Sequence, residues 1–156
     1  MPDGSAFGLL PGCALCNLPA ADWEEALARL AGAAVAAGHG RPTLVEAVIE
    51  RERRFPTGLP TEVASAIPHT DAVHVVRAGL GVATLAEPVA FGQMGGAGET
   101  LPVRFVVMLF ITDPADQVAA LQQVLGRLSD TAGVQQLLDV TDQAGFEAAV
   151  EDWLRG

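Results

Sequence analysis

Positive charge is scarce in this chain: 9 Lys and Arg residues stand against 19 Asp and Glu, a formal net charge of −10. A surface of that sign repels phosphate backbones, so a nucleic-acid partner is not expected. A partner with a basic contact face is favoured instead. Long apolar runs are also missing. No stretch of about 18 apolar residues is free of a charge or a breaker, so no membrane span or direct insertion is expected. The opening residues, MPDGSAFGLL, lack a charged n-region and a long apolar run. No secretory signal is read there, and a cytosolic location is expected. Cysteine is nearly absent. Cys13 and Cys16 form GCALC. Two thiolates alone cannot complete a tetrahedral zinc site. No strand is expected before them, so the pair lacks the setting of a redox CxxC. Both read as incidental. No internal repeat is visible.

Apolar residues are abundant. They make up 50% of the 156 residues, and only 18% are charged. That balance excludes disorder and suits one domain. Residues 1–20 are rich in Gly, Pro and Ala and read as an irregular arm. Asp22 with Glu25 makes a capping box, and Trp23, Leu27, Leu30 and Ala34 follow at helical spacing until Gly38 or Gly40. Thr43 with Glu46 predicts a second capped helix, closed by Pro56 and Gly58, with Arg51–Arg54 in its last turn. Residues 63–67 and 78–85 read as strands. A turn at Glu87-Pro88 would let 89–91 pair back, and 92–100 is a Gly-rich loop without P-loop chemistry. VRFVVMLFI, 103–111, is continuously apolar and predicts a central strand covered on both faces. Asp113-Pro114 starts a helix whose core face would be Val118, Leu121, Val124, Leu125 and Leu128. Helices near 131–138 and 142–154 close the chain, anchored by Phe146, Val150 and Trp153. The fold class is α/β: a mixed β-sheet flanked by helices on both faces, in a single compact domain over residues 21–156.

The segment SAIPHTDAVH, 65–74, holds His69 and His74 with Asp71 between them. Metal ligation by the three is disfavoured by spacing. Five residues apart does not share a helix face, and on a strand His74 points away from His69 and Asp71. His39 has no ligand spacing to them. No metal or organic cofactor is expected, and a metal-dependent hydrolase is the weakest reading. Pro68 biases Ile67 to extended geometry and places His69 at a strand end. An exposed imidazole there is a competent phosphoryl acceptor, because its pKa lies near neutrality. Arg51, Thr57 and the amides of the Gly58 loop are candidate partners for phosphoryl oxygens. A structural His69 remains the competing reading.

RERRFPTGLPTEVASAIPHTDAVH, 51–74, resembles the active-site region of the enzyme IIA (EIIA) domains of the phosphoenolpyruvate-dependent sugar phosphotransferase system (PTS), in the fructose/mannitol (type 2) superfamily. The Phe-Pro-Thr-Gly step and the second histidine look most like galactitol-type IIA proteins. The resemblance spans roughly 22–154. It implies that His69 accepts phosphate from phospho-HPr. It would then pass the group to the cysteine of an EIIB domain, which serves a membrane EIIC indirectly. Arg51 and Thr57 would bind the phosphoryl group, and His74 would be a possible helper. An alternative within the resemblance is a regulatory module whose phosphorylation state controls another protein. In many mannitol- and fructose-type relatives a second histidine begins the helix after the central strand. Here the nearest candidate is Asp116.

Overall fold

A computed structural model describes residues 7–156. The chain forms a five-stranded sheet with helices on both faces. The strands are β1 (Leu9–Leu18), β2 (Gly58–Leu59), β3 (Ser65–Ala66), β4 (Gly79–Gly92) and β5 (Thr100–Phe110). The helices are α1 (Trp23–Ala36), α2 (Leu44–Arg54), α3 (Gln117–Leu128), α4 (Thr131–Asp139) and α5 (Gln143–Arg155). The spatial order is β1-β4-β5-β3-β2. β1 runs parallel to β4 and β3 parallel to β5, while β4–β5 and β2–β3 are antiparallel, so the sheet is mixed. No described helix is long and apolar enough to cross a membrane.

β5 sits in the middle, as its apolar run requires. Its period of two divides the core. Val106, Met108 and Phe110 pack with α1 and α2, whereas Phe105, Val107, Leu109 and Ile111 pack with α3, α4 and α5. Each fully buried Leu or Phe there contributes about 1.5–3 kcal/mol relative to exposure. Phe105 meets Trp153 of α5 edge to face, centroids 5.4 Å apart and planes at 87°.

Helix starts follow local chemistry. Asp22 accepts from the Glu25 amide at 2.8 Å, and the Glu25 carboxylate accepts from the Ala21 amide at 2.8 Å. Gly38, at φ 85°, ends the turn after α1. Asp113 accepts from the Ala115 amide at 3.0 Å, and a single 3₁₀ turn over Pro114–Asp116 leads into α3.

Several expectations need correction. The irregular arm over 1–20 holds a strand at 9–18; residues 1–6 lie outside the described residues. β1 tolerates Pro11 because an edge strand need bond on one side only. Gly12 at φ 83° and Asn17 at φ 51° absorb two register shifts against β4. Glu87-Pro88 makes no reversal. It sits in a bulge, and β4 continues along β5 from Val89 to Gly92. Thr43 makes no side-chain cap for α2. The core face of α3 is Ala120, Val124 and Leu128, with Val118 and Leu125 exposed.

Candidate functional site

His69 follows β3 by three residues. Pairing with β5 runs on past the strand, because the Leu109 amide donates to the Pro68 carbonyl at 3.0 Å. The imidazole is therefore seated against the central strand. It is 6% exposed, and the expectation of a surface histidine is wrong in that respect. Its Nδ1 lies 2.9 Å from the Ile67 carbonyl oxygen. A carbonyl only accepts, so Nδ1 carries the proton and Nε2 carries the lone pair. Nε2 hydrogen-bonds to nothing among the described residues. Burial, aided by the nearby Arg51 cation, lowers the pKa of His69 against the opposing effects of the Ile67 bond and Asp71. The ring is held neutral.

His69 opens onto a cleft of about 520 Å³. One wall is the end of α2 with the segment after it: Arg51, Arg54, Phe55, Pro56 and Thr57. The other wall combines the β4–β5 hairpin, at Met94–Gly96, with Gln117 and Leu121 of α3. Gly58 permits this meeting. A Cβ there would fall 2.5 Å from the Gly92 carbonyl oxygen, and the Met94 amide donates to the Gly58 carbonyl at 2.8 Å.

Arg51 is the uncommitted cation of this wall. Arg53 pairs with Glu24 and Glu50 at 2.8 and 2.9 Å, and Arg54 pairs with Glu50 at 2.9 Å. Among the described residues Arg51 makes no ion pair. Its guanidinium carbon lies 5.1 Å from the Phe55 ring centroid, and its Nε is buried without a hydrogen-bond partner. An anion beside His69 would meet a guanidinium that makes no close ion pair among the described residues.

The other expected residues fall differently. Thr57 lines the cleft but is 2% exposed, and its hydroxyl donates to Glu52 at 2.9 Å. That proton is committed, so Thr57 supports the loop and does not donate directly to a ligand in this arrangement. His74 is not joined to His69. Its Nδ1 meets the Thr43 hydroxyl at 2.8 Å, and its ring faces an adjacent groove with Thr70 and Asp71. Asp116 is exposed and does not line the cleft; Gln117 does. His39 is buried, and its Nε2 donates to the Pro11 carbonyl at 2.9 Å, tying the turn after α1 to β1. Among the described residues no three His, Cys, Asp or Glu side chains gather to hold a metal ion.

Sequence reasoning missed Glu52 and Gln117. Glu52 was visible only as half of the Arg-Glu step. Gln117 was masked by its acidic neighbour Asp116 in TDPADQV.

A mixed sheet with a tautomer-locked histidine just past an inner strand leaves one ring nitrogen with a free lone pair at the cleft. The sequence pattern of the family "Phosphoenolpyruvate-dependent sugar phosphotransferase system, EIIA 2" matches residues 10–152. The chain belongs to that family, and a phosphoryl-carrier role in a sugar phosphotransferase system follows from the membership. The match takes in most of β1. The galactitol-specific EIIA component of Escherichia coli (strain K12) is 29% identical over 122 residues, 78% of this chain and 81% of the relative. Among solved structures, IIA mannitol from Escherichia coli aligns with a TM-score of 0.75 at 22% identity, covering 95% of this chain and 99% of the other. The complex of enzyme IIA and phosphorylated enzyme IIB for mannitol from Escherichia coli aligns at 0.74 and 23%, covering 96% and 99%. At those identities the structural likeness concerns the fold.

Proposed function

We propose that His69 is the phosphoryl acceptor of an EIIA component. The observation that carries the reading is the Nδ1–H bond to the Ile67 carbonyl, which leaves the Nε2 lone pair free beside an unpaired Arg51. The donor is the phosphohistidine of HPr. Nε2 attacks phosphorus, an N–P bond forms, and the donor's N–P bond breaks with its electron pair returning to the donor imidazole. The proton stays on Nδ1, donated to the Ile67 carbonyl throughout. Arg51 offsets the charge on the phosphoryl oxygens, and the Gln117 amide supplies a neutral donor on the opposite wall.

The second transfer reverses the roles. A thiolate of an EIIB cysteine attacks, an S–P bond forms, and His69 leaves as the neutral Nδ1–H imidazole. The mannitol IIA relative forms a complex with phosphorylated IIB, which supports this choice of acceptor. Low positive charge favours a basic donor, consistent with the net charge of −10. The relay takes place in the cytosol, with EIIC reached only through EIIB. His74 orients nothing at His69 in this reading, and Thr57 acts through the loop.

The test is incubation with phosphoenolpyruvate, enzyme I and HPr. Acid-labile phosphate is expected on the wild-type chain and absent from His69→Ala. Label on His69→Ala, or none on the wild type, would overturn the reading. Discharge on adding an EIIB domain distinguishes transport from a purely regulatory module.

A further inference from the structure

Glu52 is a buried acid to which the phosphoryl chemistry assigns no task. Its side chain is 4% exposed. It occupies the last turn of α2, where the helix dipole disfavours negative charge. Burial pushes its pKa up, against the bonds from Thr57 and the charge of Arg51. An acid in such a place has a cost to stability, and the hydrogen bonds show what it holds.

One carboxylate oxygen accepts from the Thr57 amide at 2.8 Å and the other from the Thr57 hydroxyl at 2.9 Å. The same hydroxyl oxygen accepts from the Ile67 amide at 3.2 Å. An amide can only donate, so the single hydroxyl proton must point to Glu52. The Ile67 carbonyl then accepts the Nδ1–H of His69 at 2.9 Å. The order is Glu52, Thr57, Ile67, His69. Each link has a fixed direction of donation, and the chain joins the end of α2 to the reactive ring across 17 positions of sequence.

We propose that Glu52 is a positioning residue: through Thr57 and Ile67 it fixes the carbonyl that selects the Nδ1–H tautomer of His69. The inference rests on the reading of His69 as phosphoryl acceptor and adds how its nucleophilic nitrogen is kept available. A carboxylate accepts both Thr57 protons. A glutamine in its place accepts one and presents a donor to the other. Without a second acceptor the Thr57 hydroxyl turns, the Ile67 amide loses its side-chain partner, and the carbonyl two bonds away loosens.

The experiment reads the tautomer directly, by long-range proton–nitrogen correlation spectra of the unphosphorylated full chain at about pH 7.5. It compares wild type, Glu52→Gln, Thr57→Val and Thr57→Ser, with circular dichroism as the check on folding. Wild type and Thr57→Ser should show His69 as a single Nδ1–H tautomer. Glu52→Gln and Thr57→Val should show mixed tautomers. Their rate of phosphoryl uptake should fall at least five-fold, mostly in kcat. A pure Nδ1–H tautomer and wild-type uptake in folded Glu52→Gln or Thr57→Val would overturn the proposal. Thr57→Val keeps the size of the native side chain and decides the matter should Glu52→Gln not fold. The tautomer is observed without any phosphoryl donor. A wild-type chain that takes no phosphate, with the tautomer still lost in the variants, sinks the acceptor reading and leaves the positioning role standing.

Discussion

The Thr43 hydroxyl meets Nδ1 of His74 at 2.8 Å, joining the residue before α2 to the short 3₁₀ turn after the His69 segment. The same junction is braced by the Arg41 amide donating to the His74 carbonyl at 3.0 Å and by Arg41 Nε donating to the Val73 carbonyl at 3.0 Å. His74 thus belongs to a structural seam. His74→Ala should leave phosphoryl uptake within about two-fold of wild type and cost about 0.5–1.5 kcal/mol of stability through the lost bond. Uptake kinetics and urea unfolding of the variant check both values.

Arg51 behaves in the opposite way. Among the described residues it anchors no ion pair, so its removal should spare the fold. Arg51→Ala should slow phosphoryl uptake about a hundred-fold, the scale on which one pre-placed electrostatic partner acts. Arg51→Lys keeps the charge but loses the planar fork, and should recover only part of the rate. Single-turnover labelling with phospho-HPr measures this, and thermal melts should move by only a few degrees.

The pH profile follows from His69. Its folded pKa lies below the ordinary 6.5, chiefly through burial. In the proposed relay the neutral ring is the nucleophile, so uptake should persist below pH 6.5 and fall only near the lowered value. Stability moves in the same sense. Between the two values the unfolded chain binds the extra proton, so folding stability drops as pH falls through 6.5. His69→Gln should remove that part of the loss. An acid limb of the rate profile above pH 6.5, or no difference between the two unfolding curves, contradicts the assignment.

Cys13 reports on β1. It is fully buried, and burial pushes its thiol up to about 11. At pH 8 only about one molecule in a thousand would carry the thiolate there. Iodoacetamide should therefore leave Cys13 unmodified in the folded protein and label it after denaturation. Rapid native labelling of Cys13 would mean that β1 does not stay on the sheet edge.

How much of this was legible in the sequence varied with the range of the interaction. The run Val103–Ile111 declared a central strand because a strand buried on both faces needs apolar residues at every position. The Asp22–Glu25 and Asp113-Pro114 starts were legible because a cap acts within one turn. The AIPH step, with its upstream Arg-Glu and Phe-Pro-Thr-Gly, singled out His69, which the fold places in the cleft. β1 was hidden because Pro11 and Gly12 argue for a loop, and only the exposed edge of β4 makes a bulged strand worthwhile there. The α3 stripe misled because Val118 and Leu125 have helical spacing, yet the 3₁₀ turn before Gln117 and the packing of α4 and α5 set which face meets the sheet.

The sequence by itself determined what is local: helix starts and stops, the apolar central strand, the restricted backbone at Pro68, and the residue types that phosphoryl chemistry needs. Only the tertiary structure decided which of them do which task. Thr43 could cap α2 or meet His74, and Thr57 could face a ligand or Glu52. A hydroxyl has one proton and several acceptors within reach of its sequence neighbours. The fold decides which partner comes within 3 Å, and for Thr57 that partner is the buried Glu52, which would be costly to leave unsatisfied.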